Sequence, residues 1–127
     1  MIDHLGIPVK DYAAAKAFYE NTLAPLGVKM MMEIPREHTG GRGVCGFGAE
    51  QPQFWISDGN HQNQHVHVAF AAKSRSAVDA FYAAAMAAGA TDNGKPGLRP
   101  HYHEHYYGGF VIDLDGNNVE AVCHLPA

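Results

Sequence analysis

The chain is written twice. "HLGIPVKDYAAAKAFY", from His4 to Tyr19, aligns with "HVAFAAKSRSAVDAFY", from His67 to Tyr82, at a constant offset of about half the chain. His4 falls on His67, Lys10 on Lys73 and Ala14 on Ala77, and the run Ala17-Phe18-Tyr19 falls on Ala80-Phe81-Tyr82. A repeat of this length means two copies of one supersecondary unit, and it constrains the fold before any single element is assigned.

Each copy opens with a short apolar stretch that reads as a strand, Asp3 to Val9 and His65 to Ala72. A helix follows each. Asp11 is placed to cap the first, whose stripe runs through Ala15, Phe18, Tyr19 and Leu26 to a stop at Gly27. The second starts near Ser74 or Ser76, where Ser76 with Asp79 resembles a capping box. It carries Val78, Phe81, Tyr82 and Ala85 and closes at Gly89. Strands are expected near Lys29–Ile34, Gly43–Gly48 and Gln53–Ser57, parted by the turn sequences "HTGGRG" and "GAEQP". In the second half "TDNGKPGLRP" reads as loop. "GGFVIDL" and "NVEAVCH" then read as two strands joined at "DLDGNN". The unit is β-α-β-β-β, used once over about residues 1–60 and again over about 64–127, within one domain.

Composition narrows the function. The 127 residues suffice for one core, and 46% hydrophobic with 17% charged residues is a globular balance. A formal charge of −4 gives no basic face for nucleic acid. No apolar run approaches the roughly 18 residues of a membrane span, and the first residues lack the features of a signal peptide. Two cysteines, Cys45 and Cys123, are too few for a disulfide framework and read as buried apolar fillers, which points to the cytoplasm. "GGRG" at 40–43 is a hairpin turn rather than a nucleotide fingerprint. Met30, Met31 and Met32 read as adaptable apolar surface at a pocket wall or interface.

Nine histidines are the unusual feature. In "QHVHVAF" the period of two puts His65 and His67 on one strand face. In "LRPHYHEHYY" histidines, tyrosines and Arg99 share what reads as a loop over the sheet. Glu120 stands in the apolar run "VEAVC". A buried carboxylate there must meet a cation or a hydrogen-bond donor.

The stretches "DHLGIPVKD", "HVAF" and "DLDGNNVE", set in the internal repeat, resemble the vicinal oxygen chelate superfamily: glyoxalase I, bleomycin resistance proteins, fosfomycin resistance proteins and extradiol dioxygenases. The resemblance covers nearly the whole chain. It implies an α+β fold in which two tandem βαβββ modules form an open, cup-shaped mixed β-barrel around a divalent metal. Carried over by position, the ligands are His4, His67 and Glu120, converging on zinc, nickel, iron or manganese. The fourth glyoxalase position falls on Trp55, or on Ser57 at the strict repeat offset. Gln53 is a weak substitute, and Trp55 is expected to floor a substrate pocket. His65 is expected to orient a ligand or line the rim, and Arg99 to clamp a substrate carboxylate or phosphate. His101, His103 or Tyr107 is expected to move a proton. The implied function is a metal-dependent lyase, isomerase or dioxygenase acting on a small oxygenated metabolite, as a homodimer. A metal-free drug-binding protein of the bleomycin-resistance type is the alternative, and a fosfomycin-resistance-like thiol transferase a weaker one.

Overall fold

A computed structural model describes residues 1–59 and 64–127. The expected boundary between the two modules lies in 60–63, outside the described residues.

The order of elements repeats as the sequence does. The first module runs β1 (Leu5–Pro8), α1 (Tyr12–Leu23), β2 (Lys29–Ile34), β3 (Val44–Gly48) and β4 (Phe54–Ser57). The second runs β5 (His67–Ala71), α2 (Arg75–Ala87), β6 (Thr91–Leu98), β7 (Tyr107–Ile112) and β8 (Asn118–Cys123). Each module makes one four-stranded mixed sheet, ordered β1-β4-β3-β2 and β5-β8-β7-β6. In both the first strand lies parallel to the last and the remaining pairs are antiparallel. Among the described residues no ladder joins the two sheets, and they do not close into a barrel.

Local chemistry sets the helix ends. Asp11 is extended and its carboxylate accepts from the Ala14 amide at 3.0 Å. Ser74, not Ser76, caps α2, accepting from the Ala77 amide at 3.1 Å. A single 3-10 turn, Ala24–Leu26, carries α1 to Gly27, whose positive φ of 76° suits glycine.

The element the sequence pattern obscures is β6. "TDNGKPGL" reads as loop, yet it is the edge strand of the second sheet, interrupted by two register shifts against β7. An edge position and bulges are where a sheet tolerates proline and glycine.

The core lies between the sheets and the helices. Phe18, Tyr19 and Leu23 of α1 pack with Cys45, Phe47 and Ile56. Val78, Phe81 and Ala85 of α2 pack with Val111, Val119 and Ala121. The modules are joined by α1 against α2, by the edge-to-face pair Phe54–Phe70 at 5.1 Å, by a buried hydrogen bond from Tyr19 Oη to Asp113, and by the Lys10 amide donating to Asp115 at 2.9 Å.

Candidate functional site

Strand β8 alternates cleanly. Val119, Ala121 and Cys123 point into the core, which sends Asn118, Glu120 and Val122 to the other face of the sheet. Glu120 pairs with Phe110 on β7 and with Ala69 on β5. His67 stands two residues before Ala69 and therefore shares that face. Glu120 is nonetheless only 1% exposed, because neighbouring side chains roof it over.

Two groups meet at the carboxylate. His67 Nε2 lies 3.2 Å from Glu120 Oε1. The Tyr106 hydroxyl donates to Oε2. Burial, then that bond to Glu120, push the Tyr106 hydroxyl well above the usual phenol range. Space for the pair depends on Gly108, where a Cβ would stand 3.0 Å from the Tyr106 ring and 3.1 Å from Glu120 Oε2.

The tautomer of His67 then decides what the site needs. Its Nδ1 lies 3.0 Å from the carbonyl oxygen of Asn118, which can only accept, so Nδ1 carries the proton. In neutral His67 the Nε2 lone pair therefore faces Glu120 Oε1, also a lone-pair donor. Two such atoms at 3.2 Å require a cation between them, a proton or a metal ion. Bonds of about 2.1 Å from nitrogen and oxygen to one divalent ion would put cis donors about 3 Å apart, so the spacing fits a metal. The carbonyl bond to Nδ1 is the usual way a metal-binding imidazole is oriented.

The loop from Arg99 to Tyr106 covers this corner. It is closed by the Arg99 amide donating to the Tyr106 carbonyl at 2.7 Å. Tyr106 is wedged edge-on against Tyr102, His103 and His124. The His105 amide donates to His103 Nδ1, so His103 presents Nε2–H to His124 Nδ1 at 2.5 Å. A cleft of about 550 Å³ remains, lined by His67, Tyr102, His103, Tyr106, Phe110 and Glu120, with Asn118 at its edge.

The other expected site residues are spread more widely. His4 is exposed, hydrogen-bonded to Asp3 at 2.6 Å, and lines a separate cleft with Gln53 and Phe70. Within one chain it does not reach His67 and Glu120, and among the described residues no three metal-ligating side chains converge. Register makes Trp55 the counterpart of Glu120: Gly6, two residues after His4, pairs with Trp55 as Ala69 pairs with Glu120. Trp55 therefore lies on the first sheet, packed over Gly46, away from the cleft. His65 sits against Gly116 in the β7–β8 turn. His101 is exposed, its ring 4.2 Å from that of Tyr102. Tyr107 shares a face with Cys123 rather than with Glu120. It bonds Asp79 of α2 at 2.6 Å, and Arg75 lies over its ring. Arg99 lines a neighbouring cleft. Tyr106, Phe110, Asn118 and His124 were not singled out by the sequence. Phe110 and Asn118 were findable in principle, since they share the face of Glu120 by strand parity. Tyr106 and His124 lie outside that pattern.

The family model described as "Glyoxalase/Bleomycin resistance protein/Dioxygenase superfamily" matches residues 1–121. The chain belongs to that superfamily. No curated protein matches it. Among solved structures it is similar to a glyoxalase/bleomycin resistance protein from Albidiferax ferrireducens T118. That pair is 26% identical with a TM-score of 0.72, over 95% of this chain and 97% of the other. It also shares its fold with FosX, a genomically encoded fosfomycin resistance protein from Listeria monocytogenes. A point mutant of FosX was solved with Mn(II) and 1S,2S-dihydroxypropylphosphonic acid (17% identity, TM-score 0.68, 96% of this chain and 88% of that one). A third likeness is a point mutant of glyoxalase I from Zea mays, with 18% identity and a TM-score of 0.72, over 95% of this chain and 46% of the other.

Proposed function

We propose that this member of the superfamily is a metal-dependent enzyme, of the lyase, isomerase or dioxygenase type, acting on a small oxygenated molecule. The observation that carries the reading is the 3.2 Å approach of His67 Nε2 to Glu120 Oε1, with His67 Nδ1 turned to the Asn118 carbonyl and the Tyr106 hydroxyl on the other carboxylate oxygen. His67 and Glu120 would hold zinc, nickel, iron or manganese, and a structural relative, FosX, was solved with Mn(II). Such an ion supplies Lewis-acid polarisation of substrate oxygens or, as iron, redox chemistry. The chain's own residues do the rest. The loop from Arg99 to Tyr106 screens the carboxylate from water, Phe110 floors the cleft, and His103, paired with His124, lines it as a titratable group that could move a proton.

The third ligand in this reading is His4 of the partner subunit in a homodimer. His4 occupies the repeat-equivalent place of His67 and is exposed, and neither sheet is closed by the other within one chain. Unpaired buried cysteines suit a reducing cytoplasm.

Metal content by mass spectrometry on untagged protein tests this. Wild type is expected to hold near-stoichiometric divalent metal, lost in His67→Ala, Glu120→Ala and His4→Ala. Mixing His4→Ala with Glu120→Ala chains should restore one competent site per heterodimer. A metal-free wild type that takes up none of the four ions on reconstitution would refute the enzyme reading. One observation favours a second reading in that event. The counterpart of Glu120 is an indole, Trp55, so a metal-free protein binding an apolar or aromatic molecule between copies becomes the better account.

A further inference from the structure

A second cleft, of about 330 Å³, adjoins the first and shares Tyr102, Phe110 and Asn118 with it. It has a cation and an orphan acceptor, and the metal-binding reading uses neither.

The cation is Arg99. Its guanidinium lies over Phe110 at 5.4 Å from the ring centroid, and the His67 ring stacks on the same phenylalanine at 6.4 Å. Among the described residues the guanidinium makes one hydrogen bond, to the backbone carbonyl of Lys95 at 2.8 Å, and no carboxylate pairs with it. The strand is shaped around it. A Cβ at Gly94 would stand 3.3 Å from one terminal nitrogen of Arg99, and a Cβ at Gly97 would stand 3.1 Å from the other. Gly94 also has φ of 145°, which an L side chain rarely adopts. These two glycines are part of what made β6 illegible as a strand, and they clear the space the guanidinium occupies.

The orphan is Asn118 Oδ1, buried and without a hydrogen-bond partner. By strand parity it lies on the face of Glu120, and it borders both clefts. A buried acceptor left unpaired is costly, and a turn of the Asn118 side chain into the cleft would offer it to a ligand N–H or O–H.

We infer that the two clefts form one binding site for a small anionic molecule, a carboxylate or a phosphate monoester. Its charged head is forked by Arg99, its body lies on Phe110, and a hydroxyl or N–H beside the reacting oxygens donates to Asn118. The inference rests on the metal-site reading for the position of the reacting oxygens and deepens it by naming the substrate class. A planar guanidinium matches both anions, so the test must separate them.

The test is titration of the full chain with benzoate, phenyl phosphate and neutral benzyl alcohol, followed by protein NMR. It uses wild type, Arg99→Gln and, as a control for loss of a nearby charge, Lys95→Gln. At least one anion should bind wild type and lose tenfold or more in affinity in Arg99→Gln, with Lys95→Gln and benzyl alcohol changing less than twofold. The tighter anion identifies the head group. Equal anion affinities in wild type and Arg99→Gln overturn the inference, and so does the failure of both anions to bind wild type. Repeating the titration in Glu120→Ala separates the two readings. Arg99-dependent anion binding that survives there, in a chain whose wild type holds no metal, leaves the anion site standing while the metal reading falls.

Discussion

Asp113 is the polar keystone between the two modules, and its contribution can be worked from its contacts. It is 6% exposed and sits in the β7–β8 turn. One carboxylate oxygen accepts from the amides of Asp115 and Asn117, at 2.9 and 2.8 Å. The other accepts from the Asn117 side chain at 3.0 Å and from Tyr19 Oη at 2.5 Å, across from the first module. Tyr19 is itself buried, and burial, then the charge of Asp113, push its hydroxyl well above the usual range. A hydrogen bond to a buried charge contributes about 1.5–3 kcal/mol, so Tyr19→Phe should cost that much. Asp113→Ala also strips the acceptor from two turn amides and should cost about 3–5 kcal/mol. The double variant should then cost less than the two singles together by about 1.5–3 kcal/mol, because the shared bond is lost only once. Urea unfolding of the four proteins, compared at constant slope, measures this coupling. Additivity within about 0.5 kcal/mol would mean that Tyr19 and Asp113 do not act as a unit in holding the modules together.

Three further outcomes follow from single features. Gly46→Ala would place a Cβ 2.8 Å from the indole of Trp55, the chain's single tryptophan, so its fluorescence should shift while far-ultraviolet dichroism is retained. An unchanged emission spectrum would contradict the packing of Trp55 on Gly46. Glu33 is held below the usual carboxylate value of 4.5, first by the Tyr12 hydroxyl and then by Lys16. A carboxyl depressed on folding contributes stability that is present above the unfolded value and lost as pH falls through the folded one. Glu33→Gln should therefore be less stable than wild type at pH 7, by under about 1 kcal/mol for so exposed a group, with the gap smaller at about pH 3. A gap that is the same at both pH values rules this out. Cys45 and Cys123 are buried, and burial pushes the Cys45 thiol up. An aromatic disulfide reagent should titrate both thiols in denaturant and neither at a comparable rate in the native protein, and fast native labelling would count against the core as described.

The topology was legible because the chain states it twice. Once His4 to Tyr19 is laid on His67 to Tyr82, the order of strands and helices follows from one copy. β6 escaped because its glycines and proline serve an edge strand and the space around Arg99, and local propensity cannot see either purpose. His67 and Glu120 were legible as candidate ligands through the family resemblance, carried over by position, with the internal repeat and the cost of a buried carboxylate in support. Tyr106 was not. It lies just before β7, where no alternation applies, and only the closing of the Arg99–Tyr106 loop brings its hydroxyl to Glu120. Tyr107, the next residue, looked as plausible in sequence, yet a single step along the strand sends it to α2. His4 was legible as a counterpart of His67, but pseudo-symmetry fixes equivalent places, not proximity.

The two halves keep one backbone and diverge in what they put on it. At the level of Glu120, the second module pairs the carboxylate with Phe110. At the equivalent level of the first, Trp55 is paired with Gly46. Each sheet thus carries one aromatic on this face, but on neighbouring strands: on β7 in the second module, leaving β8 free for the carboxylate, and on β4 in the first, where it occupies the carboxylate's place. The duplication therefore does not duplicate the chemistry. A first module with an indole at that place lacks the strand-borne carboxylate of the second, and the histidine it retains, His4, is paired instead with the exposed Asp3 beside it. What the first module still offers is an imidazole and an apolar indole face, which complement a site in the second that has an imidazole, a carboxylate and an open cleft. On the metal reading the expected stoichiometry is accordingly one divalent ion per chain, and a value of two would require a ligand set in the first module that its strands do not carry.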